Sequence, residues 1–395
     1  MRLPTTLSLI LFSLTLASRL AADPSTAIRN AIAPLIESEE IAGAVTLVAR
    51  DGEIIDFQAH GLANRETGQA MQTDNLFWIA SMTKPLAGVA IMMLQEEGKL
   101  SVHDPVSKHL PEFANPWLIA ESGKDSRRLV KPEREVTLFD LLTHTAGVPS
   151  VNEPRSHSSL AELVALISQQ PLGHQPGARW KYSSGGTNVL GRVVEVVSGT
   201  PIQEFIAKRI TEPIGMKDTT FYPSKRQAKR IATSYLKNED NPKLTPITPH
   251  WINGAPTDQL RTPEMGGGLC SSAEDMRRFY QMMLDGGVWN GKRLLSEKSV
   301  QELTRTQTGD IVTGFTDGMS CGLSFQVVKE PQGVTAMLNP GTFGHGGAYG
   351  TQSWADPVNQ TIYILMIQRR GFNNGDNSPV RKAFQEAAFN ALGRP

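Results

Sequence analysis

The hydrophobic pattern of this chain changes period along its length, and that change is the strongest constraint on what it can fold into. At both ends apolar residues run in short blocks bounded by turn residues, as strands do; through the middle they recur every three to four residues, as helices do. Residues 42–63 read as a β-hairpin. Ala44-Val45-Thr46-Leu47-Val48-Ala49 is strand-like, Asp51-Gly52 is a tight-turn pair, and the following residues lead back. Near the other end, Gln352-Ser353-Trp354-Ala355 and Thr361-Ile362-Tyr363-Ile364-Leu365-Met366-Ile367 form a second pair, turned by Asp356-Pro357-Val358-Asn359. Residues 323–328 give another strand, and residues 378–392 a helix capped by Ser378 with Pro379 at its first position. Between the ends, helical spacing covers residues 85–99, 137–143, 160–169, 188–197, 202–210 and 273–285, the last capped by Ser272. Residues 217–264, rich in Pro, Asn, Asp and Lys, read as a long irregular surface excursion. The predicted class is α+β: an antiparallel sheet built from both chain ends, flanked by helices, with a mostly helical lobe inserted. The sheet lobe is expected over about 25–75 and 290–395, and the helical lobe over about 76–289.

Charge excludes some functions. Lys+Arg and Asp+Glu each number 39, so the 395-residue chain carries no net field to attract nucleic acid or an anionic membrane. Residues 1–22 read as an export signal. Arg2 opens it, residues 7–17 are apolar but too few to span a bilayer, and Ala21-Ala22 suit cleavage. A mature domain of residues 23–395, periplasmic or secreted and without a membrane span, is therefore expected. In an oxidising compartment Cys270 and Cys321 either pair or lie as separate buried thiols. No Cys/His cluster has zinc spacing, so no metal or other cofactor is expected.

Chemistry concentrates at Ile79-Ala80-Ser81-Met82-Thr83-Lys84-Pro85. Pro85 suits a first helical turn, which places Ser81 at or just before the helix start and Lys84 one turn on, facing the same side. A serine hydroxyl is a poor nucleophile until something takes its proton. A lysine can do so once desolvation makes it partly neutral, and the apolar run Leu86 to Leu94 supplies the burial. The spacing alone is weak: Ser234-Tyr235-Leu236-Lys237 has it too, but runs into a turn sequence with no helix behind it. A capping serine is the plain alternative for Ser81.

Two further segments strengthen the case. Trp180-Lys181-Tyr182-Ser183-Ser184-Gly185-Gly186 offers a phenol and hydroxyls before a helix, and Gly344-His345-Gly346-Gly347-Ala348-Tyr349-Gly350 lets backbone approach a ligand closely. The ordered set Ser-x-x-Lys, Tyr-Ser-Ser, His-Gly-Gly resembles the signature of serine β-lactamases and penicillin-binding proteins. Leu141-Leu142-Thr143-His144-Thr145-Ala146-Gly147, Pro213-Ile214-Gly215-Met216 and Gly266-Gly267-Gly268-Leu269 extend the similarity to the class C β-lactamase-related family over nearly all the mature chain. The resemblance implies Ser81 as nucleophile, Lys84 as base and Tyr182 as proton relay. It implies an oxyanion hole from the backbone N–H groups of Ser81 and Ala348, with Ser184, His345, Gly346 and Gly347 lining the substrate site. The substrate it implies is a small ester, amide or peptide-like molecule, acted on by an esterase, a β-lactamase or a D,D-peptidase. A non-catalytic binding or scaffold protein is the alternative of another class.

Two departures bear on specificity: Ser184 stands where the family's second motif usually ends in Asn, and His345 where β-lactamases carry Lys. Both weigh against β-lactam turnover and toward esters. Arg369 or Arg370 is a candidate replacement for the missing cation. Residues 152–157 and 242–262 are expected to line the pocket. His144 reads as a packed, hydrogen-bonded histidine; for His60, His103, His109, His157, His174 and His250 no partner is legible. A rival serine, Ser320 in Gly318-Met319-Ser320-Cys321-Gly322, fits the Gly-x-Ser-x-Gly elbow, but a strand rather than a helix follows it.

Overall fold

The computed structural model describes residues 23–151, 158–249, 252 and 255–393; the expected export signal, residues 152–157 with His157, and His250 lie outside the described residues. The N-terminal hairpin forms as β1 (Gly43–Arg50) and β2 (Glu53–Asn64), followed by the short β3 (Gln69–Ala70). At its turn Asp51 and Gly52 take φ of 52° and 82°, the left-handed values a two-residue hairpin needs. The C-terminal part supplies β4 (Met319–Cys321), β5 (Gln326–Val328), β6 (Phe343–Gly346), β7 (Gln352–Asp356) and β8 (Thr361–Met366). Together they make one eight-stranded antiparallel sheet in the order β4-β5-β6-β7-β8-β1-β2-β3. The two ends of the chain meet at β1 and β8, where Val45 pairs with Met366 and Arg50 with Thr361.

The helices are α1 (Pro24–Glu37), α2 (Lys84–Glu96), α3 (Leu138–Leu142), α4 (Leu160–Ser168), α5 (Ser184–Ser198), α6 (Ile202–Ile206), α7 (Ala273–Leu284), α8 (Glu297–Thr304) and α9 (Pro379–Leu392). Ser272 and Ser378 cap α7 and α9 as expected, accepting from Asp275 and Arg381 N–H. Both faces of the sheet are covered, which is why β8 is buried at every position and almost wholly apolar. Ile362, Ile364 and Met366 join the core shared with the helical lobe; Tyr363 and Leu365 join a second core under α1 and α9. None of the described helices is long and apolar enough to cross a membrane.

Several boundaries differ from expectation. The strand expected over 323–328 begins only at Gln326, because Ser324 turns left-handed (φ 64°) and donates its N–H to the Leu142 carbonyl at 2.8 Å. The helix expected from Asn188 starts at Ser184. The stretch 202–210 is α-helical to Ile206 and then a π turn over Ala207–Thr211. The irregular excursion holds a helical turn, Lys225–Ala228, and two strands, Ser234–Leu236 and Thr245–Ile247; the first pairs in parallel with Arg369–Arg370. Outside the expected elements lie α1, α8 and a hairpin of Leu118–Ser122 and Arg127–Val130.

Candidate active site

The chain enters α2 through a 3-10 turn, Ala80–Thr83, with Ala80 left-handed at φ 47°. Ser81 is half-buried there, while Ala80, Met82 and Thr83 around it are buried. The turn thus presents the one hydroxyl and packs its neighbours. Lys84 Nζ lies 3.1 Å from Ser81 Oγ, 3.1 Å from Ser184 Oγ and 2.5 Å from the Gly266 carbonyl oxygen. Burial pulls the Lys84 pKa from 10.5 down to about 7, against the pull of the Glu264 carboxylate. Gly266 is itself held: its N–H donates to Asn188 Oδ1 at 2.8 Å, and a β-carbon on it would come within 2.9 Å of that of Ser184.

Tyr182 arrives on the loop before α5, whose N-cap is Ser183. Lys84 Nζ sits 4.7 Å from the centre of its ring. The ring is walled by His144 at 4.6 Å, Phe315 at 5.0 Å and His345 at 6.1 Å, centre to centre. Its hydroxyl is buried with no formed hydrogen bond. Burial drives its pKa far above the ordinary phenol value; the nearby Ser81 hydroxyl pulls the other way but does not offset this. Tyr182 is therefore a neutral phenol at rest.

The third motif lies at the end of β6. Gly346 packs against the Asp376 carboxylate, and a β-carbon on Gly347 would come within 2.6 Å of the Ile79 carbonyl oxygen. These glycines let the strand end press against the Ser81 turn, with Ala348 exposed just beyond. His345 Nδ1–H donates to the Gly346 carbonyl at 2.6 Å. Burial first, and the Lys84 charge second, lower the His345 pKa to about 4, so its ring is neutral at neutral pH. The structure thus brings Ser81, Lys84, Tyr182, Ser184, His345, Gly346, Gly347 and Ala348 to one place.

Other candidates are placed elsewhere. Arg369 is paired with Glu40 and donates to the Lys237 carbonyl at 3.1 Å, and Arg370 faces the Tyr349 phenol. Ser320 lies on β4 at 3.1 Å from Thr308 Oγ1, and Ser234 Oγ donates to Gln368 at 2.7 Å. Cys270 and Cys321 are separate buried thiols; the latter accepts from Trp180 Nε1 at 3.0 Å. His109 bonds Asp104 at 3.0 Å and His60 bonds Thr46 at 3.1 Å. Three residues at the site are not among the sequence candidates: Asn188, which holds Gly266; Asp376, whose carboxylate accepts from Gln352 at 3.1 Å and Gln326 at 3.3 Å; and Phe315, on the loop before β4.

A family model described as Beta-lactamase matches residues 28–387. An uncharacterized protein of Mycobacterium tuberculosis is 35% identical over 352 residues, spanning 83% of this chain and 86% of that one. Esterase EstB of Burkholderia gladioli is 29% identical over 382 residues, spanning 90% of this chain and 92% of EstB. Among solved structures, EstCE1, a hydrolase with promiscuous acyltransferase activity, matches with a TM-score of 0.76 and 24% identity, covering 92% of this chain and 98% of that one.

Proposed function

The chain belongs to the beta-lactamase family, a family of serine hydrolases, and we propose that this member hydrolyses neutral esters through an acyl-enzyme on Ser81. The observation that carries the reading is the set of contacts at Lys84 Nζ, with Ser81 at 3.1 Å and an accepting carbonyl at 2.5 Å. Lys84 takes the Ser81 proton as Oγ attacks the ester carbonyl carbon. The backbone N–H groups of Ser81 and Ala348 hold the negative oxygen of the tetrahedral intermediate. As the bond to the leaving oxygen breaks, the proton passes from Lys84 through the Tyr182 hydroxyl to that oxygen, and an alcohol departs. A neutral phenol suits this relay, since it gives one proton while receiving another. Water then repeats the sequence on the acyl-enzyme. The export signal read at residues 1–22 would put this hydrolysis in the periplasm or outside the cell.

Two features favour an ester over a β-lactam or a peptide carboxylate. The third motif offers a neutral imidazole where a cation would bind a substrate carboxylate, and aromatic rings wall the Tyr182 phenol. EstB is named an esterase, which is consistent with the reading. A charge-assisted hydrogen bond missing from such a site lowers the rate by about one to two decades. The test measures kcat/KM for p-nitrophenyl butyrate and a chromogenic cephalosporin with wild type, Ser81→Ala and His345→Lys, alongside fluorophosphonate labelling. Ester turnover is expected to exceed cephalosporin turnover, to vanish in Ser81→Ala, and to lose part of its lead in His345→Lys. Faster cephalosporin turnover by the wild type, unchanged in His345→Lys, would overturn the ester assignment. An adduct on Ser320 or Ser234 would overturn the nucleophile, and absence of both labelling and turnover would point to a binding protein.

A further inference from the structure

α3 ends in an uncommon way. The Thr145 N–H donates to the Asp140 carbonyl at 2.8 Å and the His144 N–H to the Leu141 carbonyl at 3.3 Å. This pair of bonds closes a helix when the residue after the C-cap turns left-handed, a place usually held by glycine because a side chain is disfavoured there. Here it is His144, buried, with φ of 59°. A residue kept in a disfavoured conformation directs attention to what its side chain does.

The answer lies in the neighbouring loop. The Lys181 N–H donates to the His144 carbonyl at 2.9 Å, and the Ser183 N–H donates to His144 Nδ1 at 3.3 Å. The peptide N–H groups on either side of Tyr182 therefore both end on this one residue. An N–H can only donate, so Nδ1 is the acceptor and the neutral ring carries its proton on Nε2. Burial, reinforced by the charge of Lys84, holds the His144 pKa well below the ordinary value and keeps the acceptor available.

We propose that His144 is the positioning residue for Tyr182: it pins the loop on both sides of the phenol and so holds the hydroxyl beside Ser81 and Lys84. The proposal rests on Tyr182 acting in proton transfer, as argued above. His144→Gly suits the left-handed turn but removes the ring acceptor. His144→Asn also tolerates the turn and returns an oxygen acceptor close to the place of Nδ1. With a neutral p-nitrophenyl ester, His144→Gly should lower kcat by about ten- to a hundredfold while KM stays within about twofold, the mark of misplaced machinery rather than lost binding. His144→Asn should recover most of that loss. In the cycle with Tyr182→Phe, the second substitution should lower kcat little further, because both act through one group. Wild-type kcat in His144→Gly, equal losses in the Gly and Asn variants, or independent losses in the double variant would each overturn the positioning role. Wild-type turnover in Tyr182→Phe would overturn the role of Tyr182 itself, which separates the two failures. Should the glycine variant not fold, His144→Gln, whose acceptor sits one methylene further out, takes its place, and wild-type kcat there overturns the proposal.

Discussion

Lys84 Nζ has three neighbours at hydrogen-bond distance, and only some of them must accept. The Gly266 carbonyl can do nothing else, and Ser184 Oγ accepts readily. A neutral amine has two N–H bonds for these and one lone pair left for the Ser81 hydroxyl; an ammonium would spend its third proton on Ser81 and leave the serine without a base. At the ordinary lysine pKa only about one amine in three thousand is neutral at pH 7, whereas at a pKa of about 7 roughly half are. The sign follows: kcat/KM for a neutral ester should rise with pH, level off above about 7, and fall about a hundredfold by two pH units below it. His345 and His144, both lowered, stay neutral across that window and add no second limb. A pH–rate profile from 5 to 9 with a p-nitrophenyl ester checks this, and Lys84→Arg should be nearly inactive throughout. A flat profile, or an active Arg variant, would mean another base. The candidate side chains were legible in the sequence because Ser81 and Lys84 stand one turn apart at a helix start and the order of the three motifs, Tyr182 among them, resembles that of a known family. Their supports were not. Gly266 works through its carbonyl, which every residue has, and Asp376 stands in Asn374-Gly375-Asp376-Asn377, indistinguishable from an ordinary loop before a capped helix.

Among the elements, those with a local reason to form were legible, and those shaped by distant partners were not. Asp51-Gly52 dictates its hairpin, and Ser378-Pro379 dictates where α9 begins. By contrast, Gly185-Gly186 reads as a loop yet lies in the first turn of α5, where a β-carbon on Gly185 would collide with the Pro149 carbonyl. The loop of residues 309–318 had no pattern to read at all, but it carries Phe315 to the rim of the site. That side chain is 44% exposed, lies 5.0 Å from the Tyr182 ring and 5.6 Å from that of Trp180, and is held through its carbonyl by Asn374. The loop also borders a cavity of about 280 Å³ lined by Phe315 with Ser320, Lys329 and Glu330. On the proposed ester hydrolysis, Phe315 would cover an apolar acyl chain. Butyrate exceeds acetate by two methylenes, each worth about 0.8 kcal/mol when buried. Phe315→Ala should therefore cut the butyrate-to-acetate ratio of kcat/KM by about tenfold and change acetate hydrolysis little. An unchanged ratio would remove Phe315 from the substrate wall.

At the scale of the whole molecule, the site belongs to neither lobe alone. Ser81, Lys84 and Tyr182 come from the helical part, and the His345–Ala348 segment from a sheet that closes only when β8 meets β1. The alternating and continuous apolar runs at the two chain ends made that closure legible, although its register required the folded chain. The helical lobe packs on one face of the sheet; on the other, α1 and α9 meet over Trp354, Tyr363 and Leu365, with Ile28, Ile32 and Phe384 at the centre. Ser81 and Phe384 thus lie on opposite sides of the same sheet, and their coupling passes through it. Phe384 is 1% exposed, so Phe384→Ala should cost about 3–5 kcal/mol. Because β6 must be in place for the Ser81 turn to be backed by Gly347, ester hydrolysis and tryptophan fluorescence should be lost together in one transition. In the variant that shared midpoint should move to lower denaturant with an unchanged slope. Urea titrations followed by both signals check this. Two separated transitions, with hydrolysis surviving the first, would mean that the helical lobe holds the site without the closed sheet.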